Sequence, residues 1–326
     1  MNPIILLGAG FSRNWGGWLA SEAFEYLLGC PEIARNERLK KLLWKHQHSG
    51  GFEDALSAVQ RDHNRSTYSD DLRAFQSAVG RMFDAMNHGY AARPGFEFQQ
   101  HKSLMVRTFL VRFNAIFSLN QDLLLEQHYL NDNVQLGSNG ERDGWQIPGM
   151  ALQVDSLQPL QPRATGRWIP TGQIRPDQRM QPLYKLHGSS NWRDNSNGSL
   201  LIMGGDKARE IQSHAILGHY AQEFERRLSA QDARLMIVGY GFRDPHINAV
   251  LTAAIERGLK FFLIDPAGSG LARTLNPTRQ PGMIQVGTSL EATFEAGLIG
   301  ASRRSLPEIF GTDVVEHDKL MRFFEA

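Results

Sequence analysis

The chain has 326 residues, 41% hydrophobic and 21% charged, the balance of a soluble globular protein rather than a disordered one. Thirty-five Lys and Arg stand against 34 Asp and Glu, a formal net charge of +1, so composition predicts neither a nucleic-acid surface nor an electrostatic membrane anchor. No apolar run reaches the roughly 20 residues of a membrane span, and the opening Met-Asn-Pro-Ile-Ile-Leu-Leu-Gly lacks the basic start of a secretory signal. The one cysteine, Cys30, excludes an internal disulfide and a zinc ribbon built from two cysteine pairs. A small buried hydrophobe accounts for it, and a reducing cytoplasm is the expected location.

Pro3-Ile4-Ile5-Leu6-Leu7 is a continuous apolar run closed by glycine, the pattern of a strand buried on both faces. From about residue 19 to 112 the spacing turns helical. Leu39, Leu42 and Leu43 share a face, as do Phe52, Ala55, Leu56 and Val59, and then Phe75, Val79, Met82 and Phe83; Leu104 to Val111 reads as a last helix. These stripes predict a helical insertion between the first two strands. Phe113 to Ser118 is the second strand. Residues 131 to 182 are rich in Gly, Pro, Gln and Asn and read as an irregular excursion with a short hairpin near Trp168. Pro182–Leu186, Leu235–Val238, Lys260–Ile264 and Met283–Val286 are further strands, with helical patterns over 215–228, 247–255 and 290–298. This cadence predicts an α/β fold: a single Rossmann-like domain over 1–326, its doubly wound parallel sheet carrying a helical insertion and no zinc ribbon.

In a parallel sheet the loops after successive strands meet at one edge, the place where open sheets bind ligands. Gly8-Ala9-Gly10-Phe11-Ser12, with Gly16 and Gly17, follows the first strand and suits a phosphate, because glycine lets the backbone approach closely. Asn120, Gln121 and Asp122 follow the second strand. Asn120 offers an amide for a ribose hydroxyl or a water, whereas Asp122 is as well explained by capping the next helix. His187, after the third strand, is the side chain best matched to proton transfer near neutral pH, and Ser189 to Trp192 read as a polar loop with an aromatic lid. Gly239 and Tyr240 make another strand-to-helix junction, with Asp244 as N-cap and Pro245 in the first turn. Asp265 ends the fifth strand as a partner for a ribose hydroxyl or as a plain turn. Histidine spacing along the chain shows no metal signal. A phosphate turn, an amide and an imidazole on one edge fit a dinucleotide whose glycosidic bond is broken.

Gly-Ala-Gly-Phe-Ser at 8–12, Leu-Asn-Gln-Asp at 119–122, Lys-Leu-His-Gly-Ser-Ser-Asn-Trp at 185–192 and Gly-Tyr-Gly-Phe-Arg-Asp-Pro-His-Ile-Asn at 239–248 occur in one order. As a set they resemble the sirtuin-like family, and within it the zinc-free bacterial branch of anti-phage defence. The resemblance implies NAD as substrate, held by Gly8, Ala9, Gly10, Phe11, Ser12, Gly16, Gln121, Gly239, Tyr240 and Asp265. It places Asn120 and His187 at the nicotinamide ribose, with Asp122 orienting their loop. It implies an NAD glycohydrolase releasing nicotinamide and ADP-ribose, a homo-oligomer, and control by a separately encoded partner, a HerA-like ring ATPase or an Argonaute-like module. Neither direct nucleic-acid binding nor membrane attachment is expected. Deacylating sirtuins carry an Asp-Phe-Arg stretch after the first loop and a four-cysteine zinc module. Here Gly17-Trp18-Leu19-Ala20-Ser21 stands in the first place and the cysteines are missing. A protein deacylase is therefore the lesser alternative, beside a non-catalytic subunit that senses NAD or ADP-ribose.

Overall fold

The computed structural model describes residues 1–48, 50–63, 69–93, 95–96, 105–130, 143–153, 164–172, 174–204, 206–275 and 290–325. Seven strands form one parallel sheet in the order β11-β10-β9-β1-β2-β6-β3. They are β1 (Asn2–Leu7), β2 (Ala115–Ser118), β3 (Gly144–Gln146), β6 (Met180–Lys185), β9 (Ala233–Val238), β10 (Lys260–Ile264) and β11 (Leu298–Ser302). Central strands of a covered parallel sheet are apolar on both faces, and Ile4, Ile5, Leu6 and Leu7 are each wholly buried. The fold is thus α/β, a parallel sheet flanked by helices. The expected strand at 283–286 lies outside the described residues, and the position beside β10 is taken by β11.

The register decides where the loops go. Leu7 pairs with Ser118 on one side and Val238 on the other, Ser118 pairs with Lys185, and Val238 pairs with Ile264. The residues just past these four rungs are Gly8, Leu119, Leu186, Gly239 and Asp265, so all five turns leave from one carboxyl edge. The chain order reverses between β1 and β9, the switch point at which such sheets open a crevice.

Between β1 and β2 the described residues form seven α-helices: α1 (Ala9–Arg13), α2 (Ala20–Gly29), α3 (Pro31–Ala34), α4 (Glu37–His46), α5 (Phe52–His63), α6 (Ser69–Ala91) and α7 (Val106–Val111). Their apolar stripes face inward: Leu39, Leu43, Ala55, Val59, Phe75 and Met82 are at most 1% exposed. The start of α7 expected at Leu104 lies outside the described residues.

A second, four-stranded sheet joins β4 (Met150–Leu152), β5 (Trp168–Pro170), β7 (Gly188–Arg193) and β8 (Ser199–Leu201). The antiparallel β4 and β5 are the hairpin strands expected near Trp168. Within 131–182 the described residues include β3, β4, β5 and the start of β6, and residues 131–142, 154–163 and 173 lie outside the described residues. One reading needs correction. Residues 189–192 are a strand and not a polar lid. Trp192 is wholly buried with its ring edge-on to Tyr220, 6.2 Å away, because β7 turns this side chain inward.

The remaining helices are α8 (Lys207–Ser213), α9 (Ala215–Leu228), α10 (Pro245–Glu256), α11 (Leu271–Leu275), α12 (Leu290–Gly297), α13 (Leu306–Ile309) and α14 (Val314–Met321). The last two return to the start of the chain. Asn14 donates to the Gly10 and Phe11 carbonyls and accepts from the Leu306 amide at 3.0 Å, while Phe310 packs on Phe109. The C-terminal helices therefore brace the first turn. No helix among the described residues is long and apolar enough to cross a membrane.

Candidate active site

The turn after β1 explains its glycines by packing. Gly8 is extended rather than left-handed, with φ −109°. A Cβ there would come within 2.5 Å of the Gly239 carbonyl oxygen, and one on Gly10 within 2.6 Å of the Gly239 Cα. The Gly10 amide donates to that same carbonyl at 2.9 Å. The glycines of the two turns let backbone lie on backbone across the switch point. Gly16 needs a positive φ, at +87°, where the chain leaves α1. Ala9 is the exposed tip of the turn, whereas Phe11 is fully buried against Trp15 and Phe96 and acts as a core residue.

Asn120 is joined to this turn directly. Its side-chain Nδ2 donates to the Gly8 carbonyl at 2.9 Å and to Ser12 Oγ at 3.0 Å, and its backbone amide donates to Ser118 Oγ. Both amide hydrogens are engaged, so Oδ1 is the group oriented to accept from a hydroxyl or water. Asp122 uses Oδ1 to accept from the Leu124 amide at 3.0 Å, the capping role that its position before a helix predicts. Gln121 faces away: its side chain donates to the Ile202 carbonyl and its own carbonyl accepts from Ser190, tying the loop to β7 and β8.

His187 occupies the turn between β6 and β7, two residues beyond the rung that pairs with Ser118, as Asn120 is two beyond Ser118 itself. Gly188 follows at φ +73°, where a Cβ would lie 1.9 Å from the Leu200 carbonyl oxygen, so only glycine permits the turn that presents the imidazole. Burial, then the nearby Lys207 charge, push the His187 pKa down to about 3, with Asp244 opposing. The ring is therefore neutral at physiological pH. Its Nε2 lies 3.1 Å from Nε2 of His246 on α10.

The other expected binding residues are arranged less directly. The Tyr240 hydroxyl is buried and donates to Asn248 Oδ1 at 2.8 Å, inside its own turn. Asp265 Oδ1 accepts from the Ala267 amide, and burial raises its carboxyl above the usual range. Both stand on the edge at the β9–β10 side, and both have an ordinary turn role. Asp244 does not cap α10 with its side chain; the carboxylate is drawn instead to Lys207, 2.8 Å away. Lys207 also pairs with Glu53 on α5 at 2.6 Å.

Three participants have no role assigned to them from the sequence. Lys185 is 1% exposed, and its ammonium donates to the Asp122 carbonyl at 2.6 Å, Glu126 Oε1 at 2.7 Å and Ser189 Oγ at 2.8 Å. It thus clamps the Asn120 loop to the His187 strand. Burial pushes the Glu126 carboxyl up, and Lys185 opposes that. Tyr90, from α6, presses its hydroxyl against Gly17, where an added Cβ would be 2.5 Å from it; burial, then the Asp122 charge, raise its pKa. A lysine in an apolar strand, as in Leu183-Tyr184-Lys185-Leu186, is the one sequence signal for such a buried clamp. A separate cleft of about 310 Å³ lies beside this loop, between Asn87 and His88 of α6, Leu123, Gln127 and Ser190. None of the expected site residues lines it.

Residues 114–277, half of the chain, match the SIR2-like domain family; the first glycine turn precedes the matched region. No curated protein sequence matches. Among solved structures the chain is similar to a Sir2 homologue in complex with NAD, at 12% identity over 98% of this chain and 90% of that one, with a TM-score of 0.42. It is similar also to SIR2 in complex with an inhibitor, 2′-O-acetyl-ADP-ribose and a deacetylated peptide, at 8% identity over 97% and 94%, with a TM-score of 0.36. At these scores the structural similarity carries no weight for site or substrate.

Proposed function

Since the chain belongs to the SIR2-like domain family, we propose that it is an NAD glycohydrolase, using water to split NAD into nicotinamide and ADP-ribose. One observation carries the reading: Asn120 is hydrogen-bonded into the first glycine turn, while a neutral, buried His187 ends the adjacent strand in the same register. Breaking the bond between nicotinamide and ribose sends the bonding pair to the nicotinamide nitrogen and leaves an oxocarbenium-like ribose. What the reaction needs is a placed water, stabilisation of developing charge and an acceptor for one proton. Asn120 Oδ1 orients the water or a ribose hydroxyl. His187 takes the proton, and its low pKa keeps the lone pair in place at neutral pH. Asp122 and Lys185 hold the loop that presents Asn120, a positioning role. In the settings that the motif resemblance suggests, the activity serves anti-phage defence as a homo-oligomer held in check by a second protein.

The test is nicotinamide release from NAD by the purified protein with no acylated peptide present. Asn120→Ala and His187→Ala are each expected to slow release by about 100-fold. Turnover that requires an acylated peptide would identify a deacylase instead. Saturable NAD or ADP-ribose binding without product would identify a sensing subunit.

A further inference from the structure

His187, Asp244 and His246 lie far apart in sequence, yet their ligand atoms all fall within 4.8 Å of one another. The two Nε2 atoms face each other at 3.1 Å, with the rings inclined at 47°. Two imidazole nitrogens bound to one tetrahedral zinc, each about 2.0–2.1 Å from it, stand about 3.3 Å apart. The pair is therefore already near the spacing that a shared ion imposes.

Charge points the same way. Lys207 is one ammonium between two carboxylates, Glu53 at 2.6 Å and Asp244 at 2.8 Å. The cluster carries one negative charge in excess in a half-buried place. Neutral imidazoles and an ionised carboxylate are the forms that ligate a metal.

We propose that His187, His246 and Asp244 bind a single zinc-class transition metal ion, and that this ion holds the enzyme off. Binding exchanges metal-bound waters for two imidazole nitrogens and one carboxylate oxygen. The proton shared between the two Nε2 atoms moves to Nδ1 of its ring, so each Nε2 offers a lone pair and no redox step is involved. Three protein ligands leave a fourth position for water. Lys207 remains on the other carboxylate oxygen of Asp244 and orients it. The consequence for catalysis rests on the NAD-cleavage reading. The lone pair of His187 that would take the proton is the one the metal occupies, so an ion at this place blocks the base.

The experiment uses full-length, tag-free protein stripped with chelator, with zinc chloride as the titrant in calorimetry and cobalt chloride for visible absorption. One zinc per chain is expected, together with the absorption of tetrahedral cobalt, and both are weakened by about 10- to 100-fold in His246→Gln and in Asp244→Asn. Circular dichroism and melting temperature confirm that each variant is folded, and His246→Gln leaves the Lys207 ion pairs intact should Asp244→Asn unfold. No saturable binding by the unaltered protein, or binding undiminished in folded variants, overturns the site. Nicotinamide release with and without zinc, taken as a ratio for each protein, tests the inhibition. The ratio is expected to fall at least tenfold in the unaltered protein and to stay near one in His246→Gln; stimulation by zinc overturns the inhibitory role. Metal binding is read without NAD, so a failure of the NAD-cleavage reading and a failure of the metal site are told apart.

Discussion

Lys185→Met is expected to lower the free energy of unfolding by about 3–5 kcal/mol, measured by urea denaturation, because it removes one partner of a buried ion pair and strands the other. The substituted side chain fills the stem of the lysine and leaves three acceptors bare: the Asp122 carbonyl, Glu126 Oε1 and Ser189 Oγ. Glu126 is the costly one, since it is about 1% exposed and its other oxygen has no partner. With the ammonium gone, burial acts on the carboxyl with only a backbone hydrogen bond against it, and its folded-state pKa rises further above the unfolded value. A raised carboxyl destabilises as pH rises past the unfolded pKa, so the deficit of Lys185→Met is smaller at about pH 5 than at about pH 8. Adding Glu126→Gln to Lys185→Met is expected to recover part of the loss, because a neutral amide replaces a stranded charge. A deficit below about 1 kcal/mol, or one that grows on acidification, would contradict the clamp.

That clamp shows what a single sequence exposes and what it hides. The inner strands were legible because a strand covered on both faces must be apolar throughout, and Ile4 to Leu7 or Phe261 to Ile264 cannot easily be read otherwise. β3 escaped because Gly144-Trp145-Gln146 is a three-residue edge strand with neither an apolar run nor an alternation. β11 escaped because it follows directly on Gly297, the last residue of α12, so Leu298 reads as the last residue of the helix. The carboxyl edge followed from the strand assignments, and with it the positions of Asn120 and His187. Their partners did not follow. Asn120 reaches Gly8 across 112 positions and His187 meets His246 across 59, and local spacing holds no trace of either. The Ser189 to Trp192 stretch misled for the opposite reason. Three polar residues precede Trp192 on β7, Ser189 among them wholly buried, and a buried Trp192 looks from sequence like an exposed one.

Gly239→Ala is expected to cost roughly 3–5 kcal/mol and to abolish nicotinamide release, while Gly241→Ala two residues on changes stability by less than about 0.5 kcal/mol. Gly239 sits at φ +62°, which costs an ordinary residue about 1–2 kcal/mol. Its added Cβ would lie 2.4 Å from the Gly10 Cα and carbonyl carbon and 2.5 Å from the Phe11 nitrogen. Those atoms are backbone, so no rotamer change relieves the contact and the turn itself must move, at about 1–3 kcal/mol or more. The movement has a definite direction of consequence. Gly10 is hydrogen-bonded to the Gly239 carbonyl, Ser12 follows it on α1, and Asn120 holds both Gly8 and Ser12. Pushing the two turns apart therefore breaks the contact that sets the Asn120 amide, without touching Asn120 or His187. Gly241 has neither constraint: no atom lies within 4 Å of its would-be Cβ, and its φ is not in the left-handed region. The two alanines thus differ by the backbone contact and the left-handed φ, both of which Gly239 alone carries. Equal melting temperatures and equal rates for the two variants would show that the β1 and β9 turns do not need each other, and the geometry assigned to Asn120 would lose its support.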